Sequence, residues 1–412
     1  MRTYEQTHPW IKFSVDLKDS PPDLWLMLGE CQSKCEHVSL VPLRPATAEG
    51  LYKIYLAKGA LATTAIEGNT LSEQEVRDHL DGKLKLPPSR EYLAKEIDNV
   101  IAGCNVTLQV VAHGGTPSIA SESIRELNRT VLKDLALEDG VIPGEVRHHS
   151  VVVGRYRGAP AEDCEFLLDE LVRWLNGSDF TPTEDKRIVY AILKAIIAHL
   201  YLAWIHPFGD GNGRVARLLE FQILIGAGVP AASAHLLSNH YNLTRSEYYR
   251  QLDRASAKGG DVVSFVSYAV RGFLDGLKQQ IDVIWAQQWD LAWRNYVHEL
   301  FQNKTSPSQV RRRHLVLDLS LRTGSTSIAD IPGISPRLSQ AYARRTQKSL
   351  VRDLNAMREA GLIERASKGY RARKEIILGF LPPTVRADLG REQNSVSERG
   401  SERGDPLGDR AY

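Results

Sequence analysis

The stretch from Ile188 to Arg217 constrains this chain more than any other. An apolar run with helical spacing, Ile188–Ile205, reaches His206-Pro207, where the proline opposes continuation of the helix through His206. Gly211-Asn212-Gly213 follows, and a second helical pattern begins at Arg214. A glycine-rich loop at the mouth of a helix turns several backbone N–H groups toward one point. With the helix dipole behind them they form an anion site suited to phosphate. Arg214 and Arg217, three apart on the first turn, reach the same side. Two guanidiniums beside such a cradle point to a polyphosphate rather than a single carboxylate. Asp210 offers one hard oxygen ligand, enough for a Mg²⁺ that otherwise binds waters and phosphates. His206 is the group that titrates near neutral pH, placed to accept a proton from an incoming hydroxyl.

The surrounding chain reads as mainly α. Helical patterns run from about Ala46 to Ala65, after the Ser72–Glu75 capping box, and over 91–112. They continue over Ser121–Leu137, Ala161–Asn176, Asp185–Ile205, Arg214–Ala227, Arg245–Ala257 and Val262–Gln288. Ser150–Tyr156 is the strong β-branched run in this region, and its flanking Gly and Pro residues predict a short hairpin. The four cysteines cannot form a disulfide scaffold. Cys31, Cys35 and His37 lie close together, but no second ligand pair follows, so a helix with buried thiols is expected. The N-terminus lacks the basic start and apolar run of a signal peptide. No apolar stretch reaches about 18 residues, and the longest, Ala195–Ile205, is interrupted by His199, so a cytoplasmic protein without membrane association is expected.

The string His206-Pro-Phe-Gly-Asp-Gly-Asn-Gly-Arg-Val-Ala-Arg217 resembles the signature of the Fic (filamentation induced by cAMP) family, H-x-F-x-[DE]-G-N-G-R-x-x-R, at every specified position. The resemblance extends over about 45–290. It implies an α-helical bundle with a β-hairpin flap, and transfer of AMP from ATP to a Ser, Thr or Tyr hydroxyl. It further implies His206 as the base, Asp210 as the Mg²⁺ ligand, and Gly211, Asn212 and Gly213 around the α-phosphate. Arg214 and Arg217 would hold the β- and γ-phosphates, with Val215 and Ala216 between them in the nucleotide-binding stretch and Phe208 as a buried anchor. Val151, Val152, Val153 and Gly154 resemble the flap that clamps a target segment as an added strand. Here Ala159-Pro160 stands where a double proline is frequent. Tyr249 and Tyr248 look like the family stretch near the adenine, able to stack on or hydrogen-bond the nucleoside, and Ser256 stands where some relatives have Asn.

Upstream, Thr63-Thr-Ala-Ile-Glu67-Gly68 places Thr63 and Glu67 four apart on one helix face, with Gly68 able to end the helix. This resembles the inhibitory motif [ST]-x-x-x-E-[GN] of Fic proteins. The resemblance implies that Glu67 pairs with Arg217 and occupies the γ-phosphate place. Some relatives use this glutamate to support removal of AMP, which the sequence leaves open.

The near balance of 52 Lys and Arg against 50 Asp and Glu hides a segregation. Residues 304–374 hold sixteen basic and five acidic residues, a net of +11, which leaves −9 elsewhere. Helices are expected over Gln309–Thr323, about Ser327–Ile331 and Thr346–Ala360, followed by a strand pair around Ser367–Gly369. The pattern resembles a winged helix-turn-helix, with Thr346–Ala360 as recognition helix and Gly369–Lys374 in the wing. The expected organisation is 1–112 helical with the inhibitory motif, 113–290 catalytic, 304–382 winged helix, and 385–412 a disordered tail. The module binds DNA in one reading and docks target proteins in the other. The rival to an adenylyltransferase is a DNA-binding regulator whose core chemistry has changed. Partners are then a target protein, the chain itself as substrate, DNA, and a second copy in a homodimer.

Overall fold

A computed structural model describes residues 2–378 apart from 44, 155, 258 and 259. The expected tail, 385–412, and the last residues of the expected winged helix, 379–382, lie outside the described residues. The chain divides after Ile281 into two compact units.

The first unit runs through α1 (Thr3–Thr7), α2 (Pro22–Leu40), α3 (Pro45–Ala65), α4 (Glu73–Leu80), α5 (Glu91–Ala112) and α6 (Ser121–Leu132). A hairpin follows, β1 (Val152–Val153) paired antiparallel with β2 (Tyr156–Arg157). Then come α7 (Ala161–Leu175), α8 (Arg187–Ile205), α9 (Asn212–Gly226), α10 (Ala231–Ala234), α11 (Leu236–Leu243), α12 (Arg245–Ala257) and the first part of α13 (Val262–Leu300), which runs on past Ile281. Helix α8 is apolar almost all round, which requires burial on every side. It packs against α9, α7 and α2, while α9 packs against α3, α5 and α6. By length and composition α8 could cross a membrane, but 78 % of that window is buried inside the protein. Ile196, Leu200, Val215 and Leu219 are wholly inaccessible at the centre. The two central helices therefore fix the loop between them, residues 206–211, from both ends.

Two expected helix ends shift. Helix α6 stops at Leu132 rather than Leu137, because Asp134 takes a left-handed backbone (φ +56°) that no helix accepts. Helix α13 continues past Gln288 to Leu300, since Trp293 and Val297 extend its buried spacing. The expected thiol helix is α2, with Cys31 and Cys35 buried; desolvation pushes both thiols up, Cys35 to about 12. His37 is exposed.

The second unit adds α14 (Pro307–Leu319), α15 (Pro336–Tyr342), α16 (Gln347–Glu359) and the antiparallel pair β3 (Ile363–Ala366) and β4 (Gly369–Ala372). Its own core gathers Leu315, Leu338, Leu354 and Ile363 with Trp293 and Val297. The middle helix is α15, which begins nine residues downstream of the start expected at Ser327. Ser335 caps it by accepting from the Leu338 N–H (3.2 Å), and Pro336 occupies the first turn. At the earlier position only a 3₁₀ turn forms, Ile331–Gly333, where Pro332-Gly333 interrupts the pattern.

Candidate active site

His206 closes α8 in a left-handed conformation (φ +51°, ψ +59°), its N–H donating to the Leu202 carbonyl at 2.9 Å. The side chain is thereby turned off the helix axis. Burial pushes the imidazole down to about 4, Arg147 pushes the same way, and the Ala203 carbonyl, Glu67 and Asp210 oppose them. The ring is neutral at pH 7, the state that accepts a proton. We expect the His206 ring in the ligand-free protein to titrate near pH 4 rather than 6.5, as read by NMR; a midpoint above 6 would refute this environment.

The loop holds its shape through its own side chains. Asn212 accepts from the Phe208 N–H (2.9 Å) and donates to the Phe208 carbonyl (2.8 Å), so its amide is spent on the turn and only its backbone faces outward. Phe208 is buried and bridges to Val146. Gly211 has φ +79°, and a Cβ there would meet Asn128, Val131 and Leu132 at 3.1–3.2 Å. Helix α9 then starts at Asn212, two residues ahead of Arg214, which places the Gly213 and Arg214 N–H groups among the unpaired donors of its first turn.

Both arginines are buried and already engaged by carboxylates. Arg214 lies 3.4 Å from Glu96 and 3.2 Å from both Asp210 oxygens. Arg217 pairs with Glu67 and donates to the Thr63 carbonyl (2.9 Å). The Nε atoms of both arginines and Nη1 of Arg217 are buried with no hydrogen-bond partner among the described residues. Burial works to raise the Glu67 carboxyl, but Arg217, with Arg214 and His206, more than offsets it and holds it below the ordinary value. A Cβ added at Gly213 would collide with a Glu67 oxygen, so the carboxylate rests against the backbone of the helix mouth.

Glu67 stands in the turn beyond α3 rather than on the helix face the four-residue spacing suggested. The Glu67 and Gly68 N–H groups close tight turns onto Thr64 and Ala65 (3.0 Å each), and Gly68 takes φ +106°. The turn is anchored from several sides. Arg245 and Tyr249 donate to the Ile66 carbonyl (2.6 and 3.3 Å), and Asn69 donates to Leu93 and Glu96 (2.9 and 2.8 Å).

Beside the loop lies a cavity of about 510 Å³, lined among others by Ile66, Gly154, Ala203, His206, Tyr249 and Leu252, within the range of small-molecule sites. Tyr248 and Val215, two of the expected nucleotide-binding residues, are buried. Tyr248 borders this cavity, but it is buried, its ring stacked on Tyr241 (4.9 Å between centroids) and its hydroxyl 2.8 Å from His199 Nε2. That hydroxyl serves a buried network in which Tyr241 donates to Glu220 (2.8 Å) and Glu220 faces His199 at 3.2 Å. Val215 is wholly buried on the core side of α9, whereas Ala216 borders the cavity. Tyr249 is 41 % exposed. Ser256 is buried, its hydroxyl donating to the Asp253 carbonyl at 3.0 Å.

The hairpin exposes Val152 and Val153, and Val153 and Gly154 reach the cavity. Three supporting residues carry no motif. Arg147 donates to the carbonyls of His206 (2.7 Å), His149 (2.5 Å) and Ala159 (2.5 Å), tying the histidine to both legs of the hairpin. Glu96 restrains Arg214. Asn128 donates to the Asp210 carbonyl (2.9 Å) and accepts from the Gly144 N–H (2.8 Å). One signal was available for Asn128: the spacing Ile124, Leu127, Asn128, Val131 puts an amide on the apolar face of α6. Asn128→Ala removes the partner of the buried Gly144 N–H and of the Asp210 carbonyl and should cost about 1–3 kcal/mol, measured by urea unfolding.

A neutral imidazole and a helix-mouth N–H cradle at one cavity, with two buried arginines on the same helix turn as the cradle, can bind a polyphosphate and deprotonate a hydroxyl beside it. Residues 118–224 match the model of the Fic/DOC family. The protein adenylyltransferase fic-1 of Caenorhabditis elegans is 34 % identical over 212 residues, 51 % of this chain and 38 % of that protein. The protein adenylyltransferase Fic of Drosophila melanogaster is 31 % identical over 237 residues, 56 % of this chain and 42 % of that one. The chain thus spans about two fifths of the length of these curated relatives. In fold it is similar to a Fic family protein from Desulfovibrio desulfuricans, with a TM-score of 0.53 at 19 % identity over 87 % of this chain and 98 % of that one. By its loop, its arginine pair and these likenesses, the chain carries a Fic domain of the Fic/DOC family.

Proposed function

We propose that this chain moves AMP from ATP to a Ser, Thr or Tyr hydroxyl of a target protein and of itself, and that Glu67 holds the reaction in check. One observation carries the reading: two buried guanidiniums flank a helix mouth, and carboxylates stand where phosphate oxygens would bind. The names of the curated relatives, protein adenylyltransferases, support the reaction class.

The N–H groups of Gly211–Gly213 would receive the α-phosphate, with Arg214 and Arg217 on the β- and γ-phosphates. The target oxygen attacks the α-phosphorus as the bond to the β-phosphate oxygen breaks and pyrophosphate leaves. His206 takes the hydroxyl proton as the new bond forms. Asp210, its side chain half exposed at the rim of the cradle, suits Mg²⁺, a hard cation that needs one carboxylate when phosphates and water complete its shell. Bound there, Mg²⁺ neutralises phosphate charge. The exposed strand Val152–Val153 would align the target segment by backbone hydrogen bonds, which tolerates varied target sequences. In the second unit α15 and α16 are joined by four residues and followed by a hairpin, the order of a winged helix-turn-helix.

The test is incubation of the wild type and Glu67→Gly with Mg²⁺ and each nucleoside triphosphate in turn, followed by intact mass. An AMP-sized adduct is expected with ATP alone. Adducts of equal yield from all four, or none from the variant, would remove the assignment.

A further inference from the structure

In the second unit Asp318 and Asp353 are turned inward, while Asp330 and Glu359 are exposed. Asp318 is buried, accepting from Ser335 (2.6 Å) and from Arg337 Nε (2.8 Å). Asp353, on the inner face of α16, is buried and accepts from Arg311 (2.7 Å), Arg312 (2.8 Å) and Tyr342 (3.0 Å). Glu364 pairs with Arg371. These three acids hold α14, α15, α16 and the hairpin together. Arg344, Arg345, Lys348, Arg352, Arg365 and Lys368 are all exposed, and none has an acidic partner among the described residues.

These six cations fall on two neighbouring features. Arg344, Arg345, Lys348 and Arg352 lead into and along α16, where Lys348, Val351, Arg352 and Asn355 share one side, with Glu359 at its C-terminal end. Arg365 and Lys368 sit on the β3–β4 hairpin, whose tip is the pair Ser367-Lys368. The hairpin is pinned to the chain ahead of α15 by mutual Thr326–Tyr370 backbone bonds of 2.9 Å each, so it stands as a fixed arm.

We infer that this unit binds duplex DNA, with the Lys348–Asn355 side of α16 in the major groove and the β3–β4 hairpin on the phosphate backbone. An α-helix fits the major groove of B-DNA, which is about 12 Å wide. Lys348 to Asn355 rises about 10 Å along the helix, close to three base-pair steps. Arg, Asn and Lys are the side chains that reach guanine and adenine edges there. The hairpin cations need only a backbone of regular negative charge. A surface with this order of base-reading and phosphate-binding groups fits a duplex better than an acidic protein, which would need no helix of groove dimensions.

The test is fluorescence anisotropy of a labelled 30-base-pair DNA duplex of mixed sequence with the full chain, from 50 to 300 mM salt. Binding is expected at low salt, with log K falling against log salt at a slope of about −3 to −5. Arg352→Glu should weaken binding at least tenfold, and Lys368→Glu should reduce the slope by about 1. Both variants should keep the wild-type thermal midpoint and the AMP self-modification conferred by Glu67→Gly. No binding at 50 mM salt, a flat salt dependence, or unchanged affinity in Arg352→Glu would overturn the inference and leave protein docking as the use of this surface. Equal affinity for an A-form RNA duplex of the same sequence would overturn the groove assignment, since its deep, narrow major groove admits no helix.

Discussion

Glu67→Gly should raise AMP self-modification by about ten- to a hundredfold, read by intact mass against time at fixed ATP. In the resting protein the Glu67 carboxylate occupies Arg217 and rests on the Gly213 backbone, so a γ-phosphate must displace a paired charge to reach its donors. A buried pair resists separation by roughly 3–5 kcal/mol, and Glu67, about one third exposed, should fall at or below the lower end. A penalty of about 1.4–3 kcal/mol gives the stated range, at tenfold per 1.4 kcal/mol. The same substitution leaves Arg217 buried without its carboxylate, so Tm of the variant should fall without nucleotide. ATP should restore it, because a ligand at one hundred times its Kd stabilises by about 2.7 kcal/mol. A variant with wild-type modification and an undisturbed Tm would mean that Glu67 neither blocks nor braces this site.

His206→Ala should abolish transfer, a loss of about 10²–10⁴ in rate if its whole role is proton acceptance. The backbone offers a control that separates chemistry from folding. At φ +51° a non-glycine residue carries roughly 1–2 kcal/mol of strain, which His206→Gly relieves. The glycine variant should therefore melt no lower than wild type while transfer stays lost, and both variants should still bind ATP through the loop and arginines. Transfer retained in either variant, measured in the Glu67→Gly background, would remove His206 from the chemistry.

The parts of this site that lie next to one another in sequence were legible there. Pro207 and the glycines set the loop, and the apolar period of α8 fixed its approach. The hairpin was visible because Val151–Val153 stands alone among amphipathic helices. What escaped were groups acting across sequence distance. Arg147 serves His206 from 59 positions away, and Arg245 serves the Glu67 turn from 179 positions away from Ile66. No periodicity carries such a pairing, because an arginine that hydrogen-bonds carbonyls resembles any other arginine in a list of letters. Tyr248 and Tyr249 were inseparable in the sequence for a related cause: an aromatic pair shows two rings, but only packing decides which hydroxyl is committed to His199. In the second unit the overlooked signal was Ser335-Pro336, a cap and first-turn proline that outrank the weaker pattern before Pro332-Gly333.

The three carbonyls gathered by Arg147 bear on how target choice in such a protein could be redesigned. Two of them, on His149 and Ala159, flank the hairpin, and the third belongs to His206. Grafting Val151–Arg157 alone from a relative would move the recognition strand and leave behind the post that sets its height above the histidine. The transferable cassette is Glu145–Pro160, guanidinium included. Swapped at those borders, a foreign strand would arrive already gauged to the reacting group.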